Sequence, residues 1–172
     1  MDKLLSLTFQ KVANARYPGD SGKFSHLFSS MIYGHLGGAG GAVYDKFVIV
    51  GGKDLDGKLH GKTEYFDGGV WKELDDPTLA DFKLSRSCVA GKADLTVGFL
   101  IGGSNENQIV PHVWKIDFSK TPLRWTRAAS LNNKRHGHKC GVINVRQKNY
   151  IVAVGGITDE YYSRNPLVRK HF

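Results

Sequence analysis

The sequence predicts an all-β protein of repeated four-stranded antiparallel sheets, and three observations carry that prediction. A short apolar run closes on a double glycine three times: 47–50 runs into Gly51-Gly52, 97–101 into Gly102-Gly103, and 150–154 into Gly155-Gly156. The first glycines of these pairs lie 51 and 53 residues apart, close to the ~50 residues of one four-stranded propeller blade. Glycine makes up 21 of the 172 residues, against a usual ~7%, as many tight turns between short strands require. Four or five β-branched, aromatic and aliphatic residues are too few for a buried helix and suit a strand buried on both faces. Two glycines at its end allow positive φ and a close approach to a neighbouring strand.

Taken in order, 1–13 reads as a weak strand, in which 9–12 resembles the later stretches that begin at Trp71 and Trp125. With the polar loop 16–30, the segment 1–30 is then the last strand of a partial blade plus a loop. A first repeat spans 31–84. Its inner strand is rich in glycine and ends in Ala42-Val43-Tyr44, a turn follows at Asp45-Lys46, and the apolar run closes on Gly51-Gly52. The polar loop 53–61 contains the turn signal Asp56-Gly57. A third strand, 63–67, ends in Asp67, and Gly68-Gly69 turns into a fourth that begins near Trp71 and is broken by Asp75-Asp76-Pro77. Residues 78–84 read as a connecting loop.

A second repeat, 85–134, follows the same order, with 113–117 under 63–67, Asp117 under Asp67, and Trp125 under Trp71. A truncated third repeat, 135–172, opens at 140–143 and reaches Gly155-Gly156. At ~50 residues per blade the chain holds about 3–3.5 blades, fewer than the four to eight that close a propeller. An open arc exposes blade faces and strand edges, so self-association that closes the propeller is one expectation.

Composition narrows the function classes. No apolar stretch approaches the ~20 residues of a membrane span, and 1–9 has too short an apolar region and no small-residue cleavage site for a signal peptide. The net charge is +8, yet the densest basic runs are Lys134-Arg135 and Arg169-Lys170. Scattered charge of this kind suits solvated blade edges better than nucleic acid. Cys88 and Cys140 are too few for a disulfide scaffold. Their equivalent places on successive repeats predict that they stay apart, in a reducing, cytoplasmic setting.

An apolar strand ending in a double glycine, an aromatic-Asp pair and a Trp a few residues later resemble the kelch repeat. The matching residues are Gly51-Gly52, Phe66-Asp67 and Trp71, then Gly102-Gly103, Ile116-Asp117 and Trp125, with Ile116 departing from the aromatic. The resemblance covers 31–160 and implies kelch-type propeller blades and a non-catalytic protein-interaction module, an adaptor or scaffold. It also implies that positions two before each inner strand, His35, Arg86 and His138, sit at the mouth of the central channel. Lys53, Asp54, Ser104 and Asn105, which follow the double glycines, would ring the same face. Such a set suits an acidic partner segment through charge-assisted hydrogen bonds.

Catalytic and metal signals are weaker. Gly19-Asp20-Ser21-Gly22-Lys23 lacks the Ser or Thr and the distal Gly of a P-loop, and no His precedes it to complete a protease triad. His136, His138 and Cys140 alternate on one strand face, but no other Cys-His cluster exists to complete a zinc site. The sequence therefore predicts no cofactor and no metal. The alternative the same resemblance allows is part of a propeller enzyme, such as a copper-dependent sugar oxidase or a sialic-acid isomerase, or a fragment without independent function. A copper site would need matched Tyr, His and Cys ligands, and no such set has convincing spacing.

Overall fold

The computed structural model describes residues 30–76, Thr78 and 83–158, with the backbone of Val168–His171. The strand expected over 9–12, the loop over 16–29 and most of the connector over 79–82 lie outside the described residues. The chain is all-β. β1 (Ala39–Val43), β2 (Lys46–Val50), β3 (Thr63–Asp67) and β4 (Val70–Leu74) form one antiparallel sheet in that order. β5 (Cys88–Ala90), β6 (Val97–Ile101), β7 (Val113–Asp117) and β8 (Thr126–Arg127) form a second. β9 (Lys139–Val145), β10 (Lys148–Val154) and β11 (Val168–His171) form a third. The two complete sheets are four-stranded meanders, consistent with an incomplete, blade-like propeller.

Alternation along the strands divides the core into two layers. Val48 and Val50 of the first sheet pack with Val89, Leu100 and Trp114 of the second. On the opposite face of the second sheet, Ala90, Phe99 and Ile101 pack with Ala153 and with Cys140, Val142 and Ile151 of the third. Trp125 locks the first two sheets together: its indole Nε1 donates to Thr63 Oγ1 at 3.2 Å and its amide donates to Asp76. It is 1% exposed. Its counterpart Trp71 is only half-buried and stacks edge-on with Phe47.

The double glycines sit where each sheet meets the next. Gly52 donates its amide to Leu84 O at 2.7 Å, and Gly103 donates to Arg135 O at 2.8 Å. A Cβ on Gly51 would lie 2.4 Å from Leu84 O, and one on Gly102 2.5 Å from Arg135 O. The connector of the following repeat occupies the space that a side chain would need, and both glycines also hold positive φ, 62° and 55°.

One expectation is overturned. Cys88 and Cys140 form a disulfide, with Cα atoms 5.9 Å apart. Innermost strands of successive sheets run side by side, β1 against β5 and β5 against β9. Cys88 shares a rung with Ile101 on the face of the second sheet turned to the third, and Cys140 one with Ala153 on the face turned back. The two side chains therefore meet. The bond removes the cysteine-based argument for a reducing compartment and takes Cys140 out of any zinc site. No helix among the described residues is long and apolar enough to cross a membrane.

Candidate functional site

The register of the inner hairpins fixes which residues are equivalent. Ala39 pairs with Val50, Cys88 with Ile101 and Lys139 with Val154, each the residue before a double glycine. Level with one another are therefore Gly37, Arg86 and Gly137, which all hold positive φ, 71°, 55° and 64°. They form a chain of backbone hydrogen bonds from sheet to sheet: Arg86 N donates to Gly37 O, and Gly137 N to Arg86 O, both at 2.7 Å. Arg86 thus occupies a left-handed position that glycine fills in the other two repeats. Such a conformation is costly for a residue with a Cβ, and strain of this kind concentrates at functional sites.

Flanking this chain, three β-bridges join Leu36 to Lys53, Ser85 to Ser104 and His136 to Ile157. The loops after the double glycines are shaped alike. Asp54 Oδ1 accepts from the amides of Asp56 and Lys58, at 3.0 and 2.8 Å. Asn105 Oδ1 accepts from those of Asn107 and Gln108, at 3.0 and 2.8 Å. Between the first two repeats this framework leaves a cleft of about 540 Å³. Its polar wall comprises Lys53, Ser85, Arg86, Ser104, Asn105 and Glu106, with Leu36 and Leu59 as apolar floor. Ser104 Oγ lies 3.1 Å from His136 Nδ1. Burial, reinforced by the neighbouring Arg86 guanidinium, lowers the pKa of His136.

Of the seven residues predicted to hold a partner, the structure brings Lys53, Arg86, Ser104 and Asn105 together in this cleft. Asp54 belongs to the same loop, and its carboxylate is engaged in the turn. His35 and His138 lie elsewhere, with the His35 side chain 1% exposed and His138 4% exposed. His35 donates from Nδ1 to Gly51 O at 2.6 Å and from Nε2 to Glu64 Oε1 at 2.9 Å. Burial first, then Arg135 and His136, push the His138 pKa down to about 4. Neither of its ring nitrogens has a hydrogen-bond partner among the described residues.

Sequence reading missed Glu64. Its fully buried carboxylate accepts from the amides of Ile32 and Tyr33, at 2.7 and 2.8 Å, as well as from His35. It also missed that the carbonyl of the first glycine in each pair is satisfied by a different side chain. His35 serves Gly51, Ser87 Oγ donates to Gly102 O at 3.0 Å, and Arg135 Nη1 donates to Gly155 O at 2.7 Å. A glutamate inside an otherwise β-branched and aromatic strand was the available signal for the first. Nothing local announces the second, because the three side chains come from three chemical types. Among the described residues, no three His, Cys, Asp or Glu side chains converge as a metal site.

No family model matches the sequence. The chain is similar to the Kelch repeat protein M-T8 of Myxoma virus (strain Lausanne), with 27% identity over 130 residues. That match covers 76% of this chain and 23% of the viral protein, so the chain corresponds to under a quarter of its relative's length. The likeness supports a kelch-like repeat protein at most, in agreement with the repeated sheets.

Proposed function

We propose that the chain is a non-catalytic protein-interaction module that holds an acidic segment of a partner protein in the cleft between its first two repeats. The observation that carries this reading is Arg86. It stands in a left-handed position that glycine occupies in both other repeats, and it lines the cleft with Lys53. Among the described residues, neither cationic group has a hydrogen-bond or ion-pair partner. These two cations beside Ser104 and Asn105 offer a carboxylate charge-assisted donors from the guanidinium and the ammonium. Leu36 and Leu59 offer apolar contact to the stems around it. The likeness to a kelch-repeat protein supports a binding role of this general kind.

The test is fluorescence anisotropy with a labelled tetra-glutamate peptide and its tetra-glutamine counterpart. The glutamate peptide should bind more tightly, with an affinity that falls as salt rises. Arg86→Ala should weaken it tenfold or more, and Lys53→Ala several-fold. Equal binding of both peptides, or binding indifferent to Arg86→Ala, would contradict the reading.

A further inference from the structure

His35, Leu84 and Arg135 stand two residues before Gly37, Arg86 and Gly137, so they are equivalent. Register also identifies an equivalent set on the third strand of each sheet. Ile49, Leu100 and Ala153 each stand two before a double glycine, and they pair with Glu64, Trp114 and Val168. The two sets match in the first two repeats. In the first the match is polar: His35 Nε2 lies 2.9 Å from Glu64 Oε1. In the second it is apolar: Leu84 and Trp114 are 3% and 6% exposed and share one core cluster. In the third a guanidinium stands at the first position, and the second holds a valine, which has no acceptor to offer.

Arg135 is 1% exposed. Its Nη1 donates to Gly155 O at 2.7 Å, as His35 Nδ1 does to the equivalent Gly51 O at 2.6 Å. Its Nε has no partner, and among the described residues no carboxylate forms an ion pair with it. A guanidinium keeps its charge at any working pH, and a buried charge left unpaired is costly. The surrounding backbone repeats that of the first repeat. The chain bends at 32–33 and again at 132–133, and Leu36 and His136 then bridge to Lys53 and Ile157. In the first repeat the amides of Ile32 and Tyr33 donate to the Glu64 carboxylate at 2.7 and 2.8 Å. Those of Asn132 and Asn133 have no acceptor among the described residues.

We infer that the third repeat binds a carboxylate that its own strands do not supply, at the place where Glu64 puts its own in the first. Arg135 provides the charge. Asn132 and Asn133, at the spacing of Ile32 and Tyr33 from His35, provide the two amide donors. Both asparagines are exposed, so the ligand enters from their side, and the buried guanidinium limits it to a small group. A free monocarboxylate and the side chain of an acidic residue share that chemistry. The site has no residue in common with the cleft between the first two repeats, and it does not depend on what the cleft holds.

Acetate is the probe, with chloride at equal concentration as the control, read by thermal melting and amide NMR. Acetate should raise the melting temperature by about 3 °C and shift the amides of Asn132 and Asn133 and the Arg135 Nε–H. Arg135→Leu installs the residue type that the second repeat carries there, so it should still melt cooperatively, and it should lose the acetate response. Arg86→Ala, in the cleft, should keep it. Val168→Glu provides the carboxylate within the chain. It should raise the melting temperature without acetate and abolish the response to it. N-acetyl-glutamate amide separates the two sources: a response equal to that of acetate names an acidic side chain as the ligand, and none names a free monocarboxylate. Equal melting in acetate and chloride, shifts confined to the cleft, or a response that survives Arg135→Leu would overturn the inference.

Discussion

Glu64 is the residue on which the first repeat turns. A carboxylate at 0% exposure is tolerated only because three donors surround it, and removing one side of a buried pair leaves the other uncompensated. Glu64→Ala should cost about 3–5 kcal/mol, read as a lowered urea midpoint with an unchanged slope. Acid acts through His138. In the unfolded chain the ring takes a proton near its ordinary 6.5, but in the fold only near 4. Its stabilising contribution is therefore complete above about pH 6.5 and drains away as pH falls toward 4. The loss is on the order of 3 kcal/mol. His60, His112 and His136, lowered chiefly by burial, add in the same direction. Urea titrations at pH 7.5 and 4.5 would show it, and His138→Phe should flatten the slope. At this scale the sequence was least informative. His35, Arg86 and His138 looked equivalent because they were counted from strand starts, whereas hydrogen-bond register makes Gly37 and Gly137 the partners of Arg86. The residues level at the strand ends, Ala39, Cys88 and Lys139, stand 12, 14 and 16 residues before their double glycines. Each hairpin is two residues longer than the last, a change that preserves which face is buried and leaves no mark on the alternation.

The strands themselves were legible. The reading placed 63–67 and 113–117 as strands, and β3 and β7 have those bounds. The runs before each double glycine became β2, β6 and β10. β-branched and aromatic content bounded by glycine was enough there, although only β2 and β6 are largely buried, and β10 is fully buried at Ala153 alone. β8 is shorter than its Trp suggested, because Trp125 lies just ahead of it and is held instead by Asp76 and Thr63. The double glycine was read as a site of close approach, and the approaching group is now identified as the carbonyl of the next connector. Gly102→Ala sets a Cβ 2.5 Å from Arg135 O at a φ of 55° and should cost about 3 kcal/mol or more. Gly137→Ala has a similar φ, 64°, but open space around it. It should cost only about 1–2 kcal/mol. Denaturant titration of the pair separates steric closure from backbone conformation, and equal losses would contradict this account.

For the molecule as a whole, stacking about a common axis is what the repeat period implied, and it is also what that reading failed to carry through to the cysteines. Equivalence on successive repeats was taken to separate Cys88 from Cys140. Hydrogen-bond register sets them one residue out of step, Cys88 level with Lys139 and Cys140 level with Val89, so the two face each other across adjacent sheets. The bond ties the second sheet to the third across 52 residues of chain, and closing a loop of that length restricts the unfolded state by about 4 kcal/mol. Reduction should lower stability by that order, seen as a drop in the melting temperature on adding dithiothreitol, and Cys88→Ala/Cys140→Ala should melt with the reduced protein. The most direct test of side-by-side stacking is peptide mapping of the folded, air-oxidised chain without reduction. A linked pair containing Cys88 and Cys140 of one chain is the predicted result. Recovery of both cysteines unlinked would contradict the side-by-side arrangement on which the cleft depends.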